Sequence, residues 1–232
     1  MTTCAECPVQ NRAICSVLED EERTILRQIG HTQFLSAGQT LMWEGDDSSV
    51  VANVIEGVLK LSTSLGDGRE QIVGIAYPAD FIGRPFGEQA RYTISAITDV
   101  RIHSFPRTGF EKFAQEHPKL EHRILERTLT ELDYSRQWML LLGRKTAQEK
   151  LATFLLDMSK RLKDERCDEI FTPLDKFTLP FGRQQIADIL GLTIETVSRQ
   201  LTELTKGGLI ALPDQRDVVI LDRDGLQNLT DL

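Results

Sequence analysis

The chain has 232 residues, 41% of them hydrophobic, and a formal net charge of −8. That is enough apolar content to bury two modest cores, and the acidic balance argues against binding nucleic acid by bulk charge. There is no apolar run long enough to span a bilayer, and Met1-Thr2-Thr3-Cys4 lacks the charged-then-apolar order of a secretion signal, so a cytoplasmic protein with no membrane partner is expected, its four cysteines not used as structural disulfides.

Residues 1–17 form a leader in which Cys4-Ala5-Glu6-Cys7-Pro8 and then Cys15 give the spacing C-x2-C-x7-C. Three thiolates this close suit a soft metal centre, either an iron–sulfur cluster or zinc. The alternative is three incidental thiols. Cys167 lies far away in the charged stretch 163–169 and is read as incidental. Residues 18–30 predict a short acidic helix with Leu26 and Ile29 apolar. Strand signals follow at 41–46, at 50–61 with Glu56-Gly57 as punctuation, at 71–76 and at 94–105, and Gly66-Asp67-Gly68 marks a hairpin. Many short strands between turns predict a small β-roll or barrel over residues 18–117.

After His117-Pro118 the pattern turns helical, with no proline or glycine between Leu120 and Gly143. Leu125, Leu132 and Met139 recur every seven residues, flanked by Leu129 and Leu142, with the small neutral Ser135 between Leu132 and Met139. This predicts a helix over 118–144 that pairs with a second copy of itself. The alternative is that it packs only on its own β-domain. Helical patterning resumes at 146–162, and residues 145–232 are expected to form a DNA-binding domain.

Within that domain, Gln184-Gln185-Ile186-Ala187-Asp188-Ile189-Leu190 reads as one amphipathic helix and Gly191 as the left-handed residue that ends it. Thr193 is the expected N-cap of a second helix. Ile186, Ile189 and Leu190 should meet Val197, Leu201 and Leu204 across a gap narrowed by Ala187, which is the helix-turn-helix arrangement. The start of the second helix carries Glu195, Thr196, Ser198 and Arg199. Arginine makes bidentate contacts to guanine, glutamate accepts from cytosine N4, and serine contacts either kind of edge. From residue 176 to 209 there are four basic and three acidic residues, so specificity is expected to come from base contacts and dimerisation rather than from charge. Residues 209–212, the turn 213–216 and residues 218–221 predict a hairpin that makes the unit a winged helix. No glycine loop with lysine, no His-Glu-x-x-His and no Gly-x-Ser-x-Gly is present, and the four histidines are scattered singly, so an enzyme is not expected.

An α+β chain built of a β-roll, a long dimer helix and a winged helix with Glu195-x-x-Ser198-Arg199 resembles the cyclic-AMP receptor/FNR superfamily of bacterial transcription regulators. Residues 138–147 and 190–200 resemble its FNR branch, especially the FnrL-like members of α-proteobacteria. The resemblance implies homodimers on a palindrome of TTGAT…ATCAA type and contact with RNA polymerase, for which Gly66-Asp67-Gly68-Arg69-Glu70 is the candidate loop. It also implies an oxygen-labile [4Fe–4S] cluster on the three leader cysteines, whose fourth ligand in the family is a cysteine on a β-roll strand. Here that position is His103, and no cysteine lies between Cys15 and Cys167. Histidine ligates iron in Rieske centres, which makes a Cys4, Cys7, Cys15, His103 set chemically reasonable. The alternative is a surface imidazole on the polar face of its strand, since Val100 and Ile102 alternate onto the other. On the same fold, cyclic-nucleotide binding would need an Arg-Ser/Thr pair after Gly87-Glu88. Here Tyr92 interrupts Arg91 and Thr93.

Overall fold

The computed structural model describes residues 7–162 and 174–230. Cys4, Cys167 and the charged stretch 163–169 lie outside the described residues. The chain divides into two compact units, Met1–Asp133 and Tyr134–Leu232.

In the first unit, α1 (Asp20–Ile29) opens on a reciprocal cap between Glu19 and Glu22, which satisfies two of the orphan N–H groups of the first turn. Eight strands follow: β1 (His31–Leu35), β2 (Thr40–Met42), β3 (Val50–Glu56), β4 (Leu59–Ser64), β5 (Glu70–Ala76), β6 (Phe81–Ile82), β7 (Thr93–Ala96) and β8 (Val100–Pro106). They form two four-stranded sheets, β1-β8-β3-β6 and β2-β7-β4-β5. The predicted run 50–61 is thus two strands in different sheets. Gly57 makes the corner at φ 83°, and a Cβ there would meet the Asp99 carbonyl at 2.2 Å, so only glycine fits.

Alternation along the strands divides two cores. Ala52, Val54, Val100 and Ile102 face the interior of the roll with Leu59, Ile94 and Leu35. Val51 and Phe105 point to the opposite face of their sheet, where they meet Phe110, Phe113, Leu120, Ile124 and Leu26. That outer face is covered by α1, by α2 (Arg107–Glu116) and by the first turns of α3 (Pro118–Arg144). Neither α2 nor the strands β1 and β6 were expected from the sequence. The first contains Gly109, whose missing side chain makes room for Ile29. β1 is mostly exposed and follows no clean alternation.

The second unit holds the end of α3, then α4 (Ala147–Arg161), β9 (Lys176–Thr178), α5 (Arg183–Leu190), α6 (Ile194–Lys206), β10 (Ile210–Ala211), β11 (Asp217–Ile220) and α7 (Arg223–Asn228). Thr146 and Glu149 form a capping box at the start of α4. The expected hairpin is β10–β11, and β9 adds a third strand in the order β10-β11-β9. Among the described residues no helix is long and apolar enough to cross a membrane.

Candidate nucleic-acid interface and leader site

The α5–α6 pair is built as its residue pattern requires. Ile186, Ala187, Ile189 and Leu190 are buried on α5, and Val197, Leu201 and Leu204 are buried on α6. Gly191 takes φ 60°, ψ 43°, and its N–H closes on the Ala187 carbonyl. Thr193 caps α6, its hydroxyl accepting from Thr196 N–H. This geometry leaves Glu195, Ser198 and Arg199 exposed together on the first turns of α6, with Thr196 half-buried beside its cap. The Glu195 carboxyl is held below the usual carboxylate range by hydrogen bonds from its own backbone and from Thr193, so it faces solvent as an ionised acceptor. Among the described residues Arg199 has no ion pair, leaving its five donors available.

One supporting residue escaped the sequence reading. Lys150 on α4 is 9% exposed, and its ammonium donates to the Leu190 carbonyl at 3.3 Å. A cation there satisfies an orphan carbonyl and complements the C-terminal end of the α5 dipole. Burial pushes the Lys150 pKa down. Nothing in the local pattern distinguishes this lysine from the surface lysines around it.

Along α3 the predicted seam is bare. Leu125 is 54% exposed, Leu132 44%, Met139 72% and Leu142 36%, with Leu129 and Leu140 also open and Ser135 exposed between them. The reading in which these residues pack only on their own β-domain is therefore excluded. Leu120 and Ile124, on another side of the same helix, do that instead. A continuous apolar stripe in water marks an interaction surface.

The described part of the leader, residues 7–17, lies on the outer face of the first unit. Residues 7–12 turn back on themselves, and Cys15 sits in a short 3₁₀ segment, Ile14–Val17. Val9 and Ala13 pack on Ala79, with Cys7 and Cys15 alongside, and Ile14 and Leu18 enter the Phe105–Phe110 core. The Arg127 guanidinium on α3 donates to the Arg12 carbonyl, tying the leader to the helix that carries the seam.

Beneath the leader is a cavity of about 570 Å³ lined by Cys7, Cys15, His31, Asn53, Arg101 and His103, among others. His103 does lie on the face opposite Val100 and Ile102, as the alternation requires. That face is partly covered by the leader, so His103 is half-buried there and not a fully exposed imidazole. The ring packs against Phe105 at 4.8 Å between centroids, and its Nε2 is buried with no hydrogen-bond partner. Burial, helped by His31 and Arg27, pushes the His103 pKa below its usual value, which favours the neutral imidazole that can bind a metal. Arg23 and Arg27 also line the cavity, and among the described residues no carboxylate does. Such a lining suits an anionic metal–thiolate centre. Among the described residues no three His, Cys, Asp or Glu side chains converge closely enough to hold a metal ion. Cys4 is outside those residues, and Cys7 and Cys15 both line the cavity. The donor types, the shared cavity and the unpartnered buried nitrogen fit a thiolate-bound centre.

A second, smaller cavity of about 220 Å³ lies within the roll beside Ser48, Arg84, Arg91 and Tyr92. Thr93, whose hydroxyl accepts from Glu44 N–H at 3.1 Å, is not among the residues that line it. Glu88 is exposed in a bend.

Residues 149–229 match the Crp-like helix-turn-helix domain, and residues 32–117 match the cyclic nucleotide-binding domain. The chain is 43% identical to the transcriptional activator protein FnrL of Cereibacter sphaeroides over 94% of this chain and 88% of that protein. It is 40% identical to the nitrogen fixation regulation protein FixK of Bradyrhizobium diazoefficiens over 90% of this chain and 86% of the relative. The solved structure of FixK2 from Bradyrhizobium japonicum superposes with a TM-score of 0.78 at 33% identity, covering 87% of this chain and 97% of that one.

Proposed function

The chain belongs to the CRP/FNR family of DNA-binding transcriptional regulators, and from that premise we propose that it is an oxygen-responsive activator whose leader, loaded with a [4Fe–4S] cluster, promotes dimerisation and binding to a TTGAT…ATCAA-type palindrome. The observation that carries the sensor half is the buried, unpartnered His103 Nε2 in a cavity it shares with Cys7 and Cys15. Cys4, Cys7, Cys15 and His103 would hold the cluster, which would supply oxygen-labile redox chemistry.

Everything else in the mechanism belongs to the protein's own residues. Cys7 and Cys15 line the cavity on the leader side and His103 on the β-roll side; Cys4 would complete the ligand set. With the leader seated, Ile14 and Leu18 stay in the core beside Leu120 and Ile124, and Arg12 keeps its bond from Arg127. Those contacts order the α3 segment from which Leu125 and Leu132 meet their copies. A seated leader need only favour the pairing-competent state over the other to shift the population. The neutral Ser135 imposes no charge repulsion at the seam, so leader docking would act by ordering α3 and not by relieving a charge clash. Each protomer then places Glu195, Ser198 and Arg199 on one half-site, the two about one helical turn of DNA apart. The loop Gly66-Asp67-Gly68-Arg69-Glu70, exposed but for the half-buried Glu70 at the start of β5, is the surface offered to RNA polymerase.

The test is isolation without oxygen. The wild-type chain is expected to be brown, with a broad visible absorption band and matched iron and sulfide, and Cys15→Ser to be colourless. A colourless wild-type chain carrying stoichiometric zinc would replace the cluster by a structural metal and end the oxygen-sensing reading.

A further inference from the structure

The cavity holds a second buried polar side chain that the proposed ligand set does not use. Asn53 on β3 is 4% exposed, and its Oδ1 is buried without a hydrogen-bond partner. A buried amide oxygen left unsatisfied is costly and calls for an explanation. Its place in the sheet supplies one. Asn53 and His103 are directly opposite one another on the antiparallel β3–β8 pair, so both side chains leave the same face of the sheet, with Cβ atoms about 5 Å apart. The neighbours of Asn53 along β3 on that face are Val51 and Ile55, both apolar. Across on β8, Arg101 pairs with Glu56 through a terminal guanidinium nitrogen at 3.2 Å, while its Nε is also buried without a partner among the described residues. By register His103, and not Arg101, is the polar residue directly opposite Asn53, and each of the two has one buried polar atom with no partner among the described residues.

Resting on the reading of His103 as a ligand, we propose that Asn53 is its positioning residue. A metal-bound histidine donates its remaining ring N–H to a fixed acceptor, which sets both the tautomer and the ring plane. Asn53 Oδ1 is that acceptor, reached by rotation of the imidazole about its Cβ–Cγ bond. With one ring nitrogen so engaged, the other is presented to the thiolates of the leader. Asn53 does not touch the metal. It makes His103 a directed ligand in place of a ring packed on Phe105.

Cobalt(II) titration of the full-length, anaerobic, metal-free protein tests this, because thiolate charge-transfer and d–d bands report ligand type without reference to DNA binding. Asn53→Leu is expected to weaken cobalt affinity by about 10- to 100-fold, the usual effect of removing such an outer partner, and to shift the d–d bands toward those of His103→Ala. Asn53→Asp, which retains an acceptor, is expected to restore both. In the His103→Ala background Asn53→Leu should have no further effect, since the two act through one contact. Asn53→Leu bands identical to wild type, or an additive double variant, would overturn the inference while leaving His103 a ligand. Equal cobalt affinity and bands for wild type and His103→Ala would overturn the ligand reading itself, and the inference with it. So would a wild-type chain showing no thiolate–cobalt bands.

Discussion

Arg199→Ala is expected to weaken binding to a TTGAT…ATCAA duplex by about 2–6 kcal/mol, because a bidentate arginine–guanine contact is worth about 1–3 kcal/mol and a dimer makes it twice. The loss should be concentrated on the specific sequence. Arg199 is expected to read a base and not to neutralise a phosphate, so affinity for a scrambled duplex should fall far less and the salt slope should change little, a change of about one per protomer being the mark of a phosphate contact. Folding should be unaffected, since the side chain is exposed and has no ion pair among the described residues. Fluorescence anisotropy with the two duplexes, beside a thermal melt, measures all three. An equal loss on both duplexes would mean that Arg199 contacts phosphate and that bases are read elsewhere.

Leu132→Glu is expected to abolish the dimer at micromolar concentration. Leu132 is 44% exposed in the protomer, so the substitution costs the isolated chain little. In a parallel pair the residue meets its own copy, and two carboxylates brought together in a desolvated seam cost several kcal/mol. Sedimentation should report a monomer with an unchanged melting transition, and binding to the palindrome should be lost although the recognition helix is untouched. The same substitution at Leu120, which is fully buried in the protomer core, should instead unfold the first unit. A Leu132→Glu chain as dimeric as wild type would place the interface on another surface.

How far these expectations were legible in the sequence depends on how local their causes are. The helix-turn-helix was readable because every part of it lies within about twenty residues of chain: the apolar spacing of Ile186, Ile189 and Leu190, the left-handed Gly191, and the Thr193 cap. The bare stripe on α3 was readable for a similar reason, since a seven-residue period needs only one helix to express it. The surroundings of His103 were not. Strand alternation placed the side chain on the correct face, but whether that face meets water depends on Ile14, Leu26 and Phe110, contributed by three separate segments. Asn53 and Lys150 are of the same kind. Their partners lie 50 and 40 residues away along the chain, and an asparagine in a strand or a lysine in a helix carries no local sign of it. β1 went unseen because it is an exposed edge whose stability comes from pairing with β8. The two cavities, likewise, exist only once both sheets and the leader are assembled.

The central claim is that one event at the leader controls binding at α6. The most direct measurement follows visible absorbance, sedimentation and binding to the palindromic duplex in a single anaerobic sample as air is admitted. The account predicts that the brown band bleaches, the dimer dissociates and DNA binding is lost in parallel, with Leu132→Glu already unable to bind before air is added. A protein whose band bleaches while the dimer and its DNA affinity persist would contradict it, leaving a metal centre at the leader with no hold on the recognition helix.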